Sequence, residues 1–180
     1  KGYHVQHGDG RILGPFSALE VTRRIQKGSF DGTEKLSADG SGNFSPIRSN
    51  AEFCGLIKVF IDSEKIGSNK AALGFDLAGP VGLFLSFCKK DNTGWLTFVG
   101  EHQVKVVAYF KGRPIKIFAS MVNTEQSSEL LDLFSWEEGQ ATFEPDPVAG
   151  LAEQLLPEDT FGLIRRTLAP ESGFEVTRLL

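Results

Sequence analysis

Residues 3–7, Tyr-His-Val-Gln-His, alternate apolar and polar side chains and predict a short strand. Gly8-Asp9-Gly10-Arg11 follows as a tight turn, and Ile12-Leu13 opens the return strand. The period then changes. Val21 and Ile25 stand four apart, as on one face of a helix. Ser17 is placed as its N-cap, with Glu20 completing a capping box. Arg23, Arg24 and Lys27 collect at the end where cations suit the helix dipole, and Gly28 supplies the stop. Residues 39–43, Asp-Gly-Ser-Gly-Asn, form another turn before Phe-Ser-Pro-Ile, and the first unit closes near Phe53.

The run Leu-Ile-Lys-Val-Phe-Ile, 56–61, reads as a strand, and the polar stretch 62–72 as a connection between units. Beyond it, Pro80 suits the first position of a helix, on which Val81, Phe84, Leu85 and Cys88 share a face. Three strands are predicted next, over 95–99, 103–110 and 115–120, joined by links of hairpin length. In the middle strand Val104, Val106, Ala108 and Phe110 alternate against Lys105, Val107 and Tyr109, which predicts one buried face. A helix over 125–134 carries Leu130, Leu131 and Phe134 on one side. Residues 140–145 give a last strand, and short helices follow over 148–156 and 159–168, the second striped by Phe161, Ile164 and Leu168. The expectation is an α+β chain of two small domains in tandem. A sheet-plus-helix unit fills 1–54, a linker or connecting strand 55–72, an antiparallel sheet with flanking helices 73–168, and a tail 169–180 leads to further domains.

Composition narrows the function classes. A net charge of −4 over 180 residues argues against a nucleic-acid surface, which needs a clustered basic face. No apolar run approaches the roughly 18 residues that a membrane span needs, so no membrane insertion is expected. Cys54 and Cys88 are too few and too distant for a disulfide framework, which suggests a reducing, cytoplasmic setting. The start at Lys1 and the apolar end Glu-Val-Thr-Arg-Leu-Leu read as a piece of a larger protein.

Catalytic motifs are not found. His4 and His7 fall on opposite faces of a strand and have no Cys-x-x-Cys or His-Glu-x-x-His beside them. His102 sits in a hairpin turn near no nucleophile. The paired carboxylates Glu137-Glu138 and Glu158-Asp159 lie in turns. The glycines of 8–14 lack the Lys-Ser or Lys-Thr of a phosphate loop. The expectation is a non-enzyme with no cofactor and no metal.

Two stretches do carry a resemblance. Gly14, Pro15 and Phe16, then Val21, Gly28 and Phe30, fall in the register of the GYF domain. The match covers about residues 2–53 and is similar to the bacterial GYF-like variants. Arg24 stands where that family has its tryptophan, and Ser29 where it has its tyrosine. The resemblance implies a groove for proline-rich segments, which arrive preformed as polyproline II helices. Its candidate residues are Tyr3, Pro15, Phe16, Arg24 and Phe30. Arg24 has no indole face for proline, and its planar fork suits an acidic or carbonyl-rich partner. The plainer reading is that Phe16 and Phe30 fill the core of a very small unit.

Residues 73–168 resemble the PATAN domain of bacterial signalling proteins. Thr93-Gly94, Leu96, Phe110, Gly112, Leu133, Trp136, Gly139, Phe143 and Pro145 carry that likeness, with Lys111 departing where the family often has an acid. The family is linked with motility and pilus regulation, and implies an adaptor with a protein partner rather than a catalyst. Trp136 is expected to close the core between helix and strand. The alternatives are a structural spacer, a regulatory region of an enzyme whose catalytic domain lies elsewhere, and ligand sensing by the second unit.

Overall fold

The computed structural model describes residues 2–38, 40, 42–63, 72–75, 79–88, 91–120 and 126–146, the side chains of 126 and 127 excepted. The expected helices 148–156 and 159–168 and the tail 169–180 lie outside the described residues. The fold is α+β, with two antiparallel sheets. The chain divides into two compact units, Lys1–Gly67 and Ser68–Leu180.

Unit 1 holds β1 (Tyr3–Gln6), β2 (Ile12–Phe16), α1 (Ala18–Gln26), β3 (Lys35–Ser37) and β4 (Ser45–Pro46), with sheet order β2-β1-β3-β4. The β1–β2 turn is tied by His7 N–H to the Arg11 carbonyl at 2.9 Å and by the Asp9 carboxylate, which accepts from Arg11. The capping box forms. Glu20 N–H donates to Ser17 Oγ at 3.3 Å, and Ser17 N–H donates to Glu20 Oε2 at 2.7 Å. At the other end Gly28, at φ +67°, turns the chain so that Ser29 and Phe30 N–H donate to the Arg24 carbonyl.

The core of unit 1 gathers Tyr3, Val5, Val21, Ile25, Phe30, Leu36, Ile47, Phe53 and Ile57. The last of these corrects a sequence expectation. Residues 55–61 are neither linker nor strand. They lie in α2 (Cys54–Ile57) and in a wider helical turn that continues over Lys58–Asp62. Phe53, Leu56, Ile57, Phe60 and Ile61 recur at i, i+3, i+4, i+7 and i+8, which is helical spacing, and all five pack in or against the core. Arg48 then ties this segment to the loop before β3. It donates to Asp62 Oδ2 at 2.7 Å and to the Gly32 carbonyl at 3.1 Å.

Unit 2 holds β5 (Leu73–Gly74), α3 (Gly79–Cys88), β6 (Gly94–Val99), β7 (Val104–Phe110), β8 (Arg113–Ala119), α4 (Gln126–Phe134) and β9 (Gln140–Pro145), with sheet order β5-β9-β6-β7-β8. Lys111 and Gly112 both take positive φ, 49° and 72°, which gives the two-residue turn favoured by tight hairpins. The helices α3 and α4 contribute Phe84, Leu130 and Leu133 to a core with Leu96, Phe98, Val107, Tyr109, Ile117 and Ala141. Two helical expectations change in detail. Leu133 rather than Leu131 completes the buried side of α4, and Leu131 faces solvent. On α3, Leu83 and Phe87 also pack against the core, so its apolar stripe is wider than four residues.

The expectation for β7 is overturned. Both of its faces are buried, and the polar member of the alternation, Lys105, is only 1% exposed. Three acceptors surround its ammonium. Glu129 Oε2 lies at 2.6 Å, the Glu129 carbonyl at 2.8 Å and Asp132 Oδ2 at 2.7 Å. A buried lysine persists only when paired and hydrogen-bonded, and here each of its three donors has a target.

Candidate functional site

The candidate residues of unit 1 meet at the corner where β2 passes into α1. Gly14 makes that corner possible. It sits at φ +125°, and a Cβ on it would stand 2.6 Å from the Tyr3 carbonyl oxygen. Only glycine lets β2 approach β1 so closely. Pro15 follows on the exposed edge strand, where its missing N–H removes a donor from the open edge. Phe16 pairs opposite Tyr3 and lies half-buried against the core.

The five candidates then separate. Tyr3 (2% exposed) and Phe30 (1%) are core residues and present no ring to a ligand. Tyr3 stacks edge-on against Phe53 at 5.1 Å and donates its hydroxyl to Glu52 Oε2. Burial, together with the Glu52 carboxylate, pushes that hydroxyl up to about 12, so it stays protonated and structural. This corrects the expectation that Tyr3 and Phe30 line the groove. A small unit uses its large rings to build a core at all.

Pro15, Phe16 and Arg24 remain at the surface. The Arg24 guanidinium lies over the Phe16 ring, 4.4 Å from its centroid, and 5.7 Å from that of Phe30. Arginine stacks on aromatic faces in this way and keeps its donors free for a further partner. Glu20, one turn before it, is committed to Ser17. The backbone N–H and hydroxyl of Ser17 hold the Glu20 carboxyl below its ordinary value.

Sequence reasoning missed the apolar side chains that frame this corner. Ile12 is 53% exposed, Leu13 42% and Leu19 51%. For Leu19 a signal exists. It stands two positions before Val21, about 200° around the helix from the buried face. Nothing in the sequence marks β2 as the edge strand that leaves Ile12 and Leu13 open.

Unit 2 offers a second cleft, of about 470 Å³, between the β6–β7 turn and the loop after α4. Glu101, His102, Glu137 and Glu138 line it beside Trp136. Trp136 packs against the core, donates its indole N–H to Asp132 Oδ2 at 3.3 Å, and rests on Gly100. No group of three or more metal-ligating side chains converges among the described residues.

Cys54 is buried and Cys88 half-buried; desolvation pushes the Cys88 thiol up to about 12, and its Sγ–H points at the Phe84 carbonyl. At pH 8 the folded chain is expected to react with iodoacetamide at Cys88 at least about 100-fold more slowly than in denaturant, since the thiolate is the reactive form. Mass spectrometry of the labelled chain checks this, and rapid native labelling would contradict the upward shift of the thiol.

Comparison of the chain with family models, with curated proteins and with solved structures finds no match.

Proposed function

We propose that this chain is a non-catalytic protein-recognition region, the adaptor part of a cytoplasmic bacterial signalling or motility protein. It docks a partner segment on the β2–α1 corner of unit 1. One observation carries the reading. Of the five exposed large apolar side chains among the described residues, three, Ile12, Leu13 and Leu19, fall within eight consecutive positions. Exposed apolar side chains concentrated in one short stretch of chain mark a candidate interaction segment more often than scattered ones do. The half-buried Phe16 and the exposed Pro15 extend it. The motif likeness of 73–168 to PATAN domains supports the signalling setting. No described helix is long and apolar enough to cross a membrane.

A structural spacer is the second reading. It draws support from Tyr3 and Phe30, two rings of the expected groove that the core consumes.

Amide NMR of the whole 180-residue chain, titrated with a pool of proline-rich peptides, separates the two. Recognition predicts shifts confined to residues 12–19 and Arg24. A spectrum unchanged at millimolar peptide favours the spacer. Arg24→Trp is then expected to tighten proline-peptide binding by about tenfold, because an indole offers proline rings a flat apolar wall that a guanidinium does not. An Arg24→Trp chain that binds no tighter would count against a proline groove at this corner.

A further inference from the structure

Resting on that reading of the β2–α1 corner, we infer that its partner segment carries a carboxylate beside its apolar residues, and that Arg24 is the anchor for it. The guanidinium is already oriented. Contact with the Phe16 ring at 4.4 Å, and with Phe30 at 5.7 Å, restricts the guanidinium, so less freedom remains to be lost on binding. Its donors are also available. Arg11 is paired with Asp9 and Arg48 with Asp62, but Arg24 makes no ion pair or hydrogen bond through its side chain among the described residues.

The acids nearby have hydrogen-bond partners of their own. Glu20 caps its helix through Ser17; its charge also acts on Arg24 across one helical turn, but no direct ion pair forms between them. Glu34 is buried, accepts from the N–H groups of Asp31 and Gly32, and lies 3.9 Å from His7 Nδ1, the imidazole packed on Phe30. The negative end of α1 is blunted as well, because the Arg24 carbonyl accepts two backbone N–H groups. Arg23 and Lys27 add exposed positive charge on the same last turn.

A chain of net charge −4 therefore ends α1 in three cationic side chains, one of which, Arg24, rests on the half-buried apolar ring of Phe16. A partner of purely apolar or proline chemistry leaves the guanidinium unanswered. A basic partner is repelled by it. A short extended segment with Asp or Glu flanked by proline or leucine answers both features. The carboxylate takes the fork through two parallel hydrogen bonds, and its neighbours cover Phe16 and the residues around it.

The test uses the whole chain and two peptides with acetylated and amidated ends. Both are proline- and leucine-containing ten-mers, identical except that a central Glu in one is Gln in the other. Calorimetry is expected to show the Glu peptide binding about tenfold tighter, an advantage that shrinks as salt rises. In Arg24→Gln that ratio is expected to fall to about one, while the Gln peptide keeps its affinity within about threefold. Arg24→Lys, which keeps the charge but loses the planar fork, should retain only part of the ratio. Amide spectra of both variants confirm that the fold is intact. Equal affinities for the two peptides, with shifts still centred on residues 12–19, would overturn the carboxylate anchor and leave recognition standing. A Glu preference that survives Arg24→Gln would place the anchor elsewhere and overturn it too. No shift with either peptide would overturn the anchor together with the recognition reading.

Discussion

Lys105→Ala is expected to remove roughly 3–5 kcal/mol of stability from unit 2, the cost of breaking a buried ion pair from one side. The substitution leaves the Glu129 carboxylate and the Glu129 carbonyl, 2.6 and 2.8 Å from the lost ammonium, without their donor. The Glu129 side chain is almost as enclosed as the lysine, so little water arrives to replace it. Asp132 contributes less, because its side chain is half exposed and its pairing is screened. Both tryptophans, Trp95 and Trp136, belong to unit 2, so urea unfolding followed by indole fluorescence reads this unit alone. The double variant Lys105→Met, Glu129→Leu is expected to recover most of the loss, since apolar replacement of a whole buried pair is often neutral. A single variant that loses under about 1 kcal/mol would mean that the network behaves as a surface pair.

The same network carries a pH signature. The Lys105 ammonium, hydrogen-bonded to Asp132, holds that carboxyl below its ordinary value. A carboxyl whose folded pKa lies below its unfolded value of about 3.9 stabilises the fold at higher pH and loses that contribution as pH falls through the folded pKa. Wild-type unit 2 should therefore lose stability on acidification below about pH 4. Lys105→Met should reduce that limb, because the largest influence lowering Asp132 is gone and only the Trp136 indole hydrogen bond remains.

Lys105 also shows where the sequence stops being readable. Strand periodicity divides β7 into two faces, and that division is correct. It does not say that both faces are covered. Composition marks Val104, Val106, Ala108 and Phe110 for burial, yet Lys105, Val107 and Tyr109 share the face that meets α3 and α4. The partner that makes this tolerable is 24 residues away on α4, and only the fold brings it close.

The capping box of α1 was legible because its chemistry is local, four residues from end to end. Helical spacing at 53, 56, 57, 60 and 61 was equally local, but the β-branched content of Leu-Ile-Lys-Val-Phe-Ile competes with it. At the candidate site, sequence placed Phe16 and Arg24 in one element pair. Their contact, the burial of Tyr3 and Phe30, and the exposure of Ile12 and Leu13 on the edge strand β2 arise from tertiary packing that local patterns do not carry.

Gly94→Ala is expected to cost unit 2 about 3 kcal/mol or more, the sum of backbone strain and an overpacked strand contact. Gly94 sits at φ +154° where β6 begins to pair with β9. A Cβ there would run into the Glu144 carbonyl oxygen and stand 2.9 Å from Pro145 Cα, both backbone atoms of the paired strand. Backbone cannot rotate away as a long side chain does, so the two strands must part. Gly139, at φ +153°, guards the far end of the same pair, where a Cβ would lie 2.7 Å from the Val99 carbonyl oxygen. Both glycines were singled out in the sequence by their place in a motif. The close passage of β6 and β9 gives each a physical reason of its own, whatever family the chain belongs to. Gly79→Ala is the internal control. It too has positive φ, +59°, but nothing lies within 4 Å of its Cβ, so it carries the strain of about 1–2 kcal/mol without the collision. Indole fluorescence in urea ranks the three. Gly94→Ala and Gly139→Ala should fall well below Gly79→Ala in midpoint, and a Gly94→Ala chain as stable as Gly79→Ala would mean that β6 and β9 do not approach as closely as this register requires.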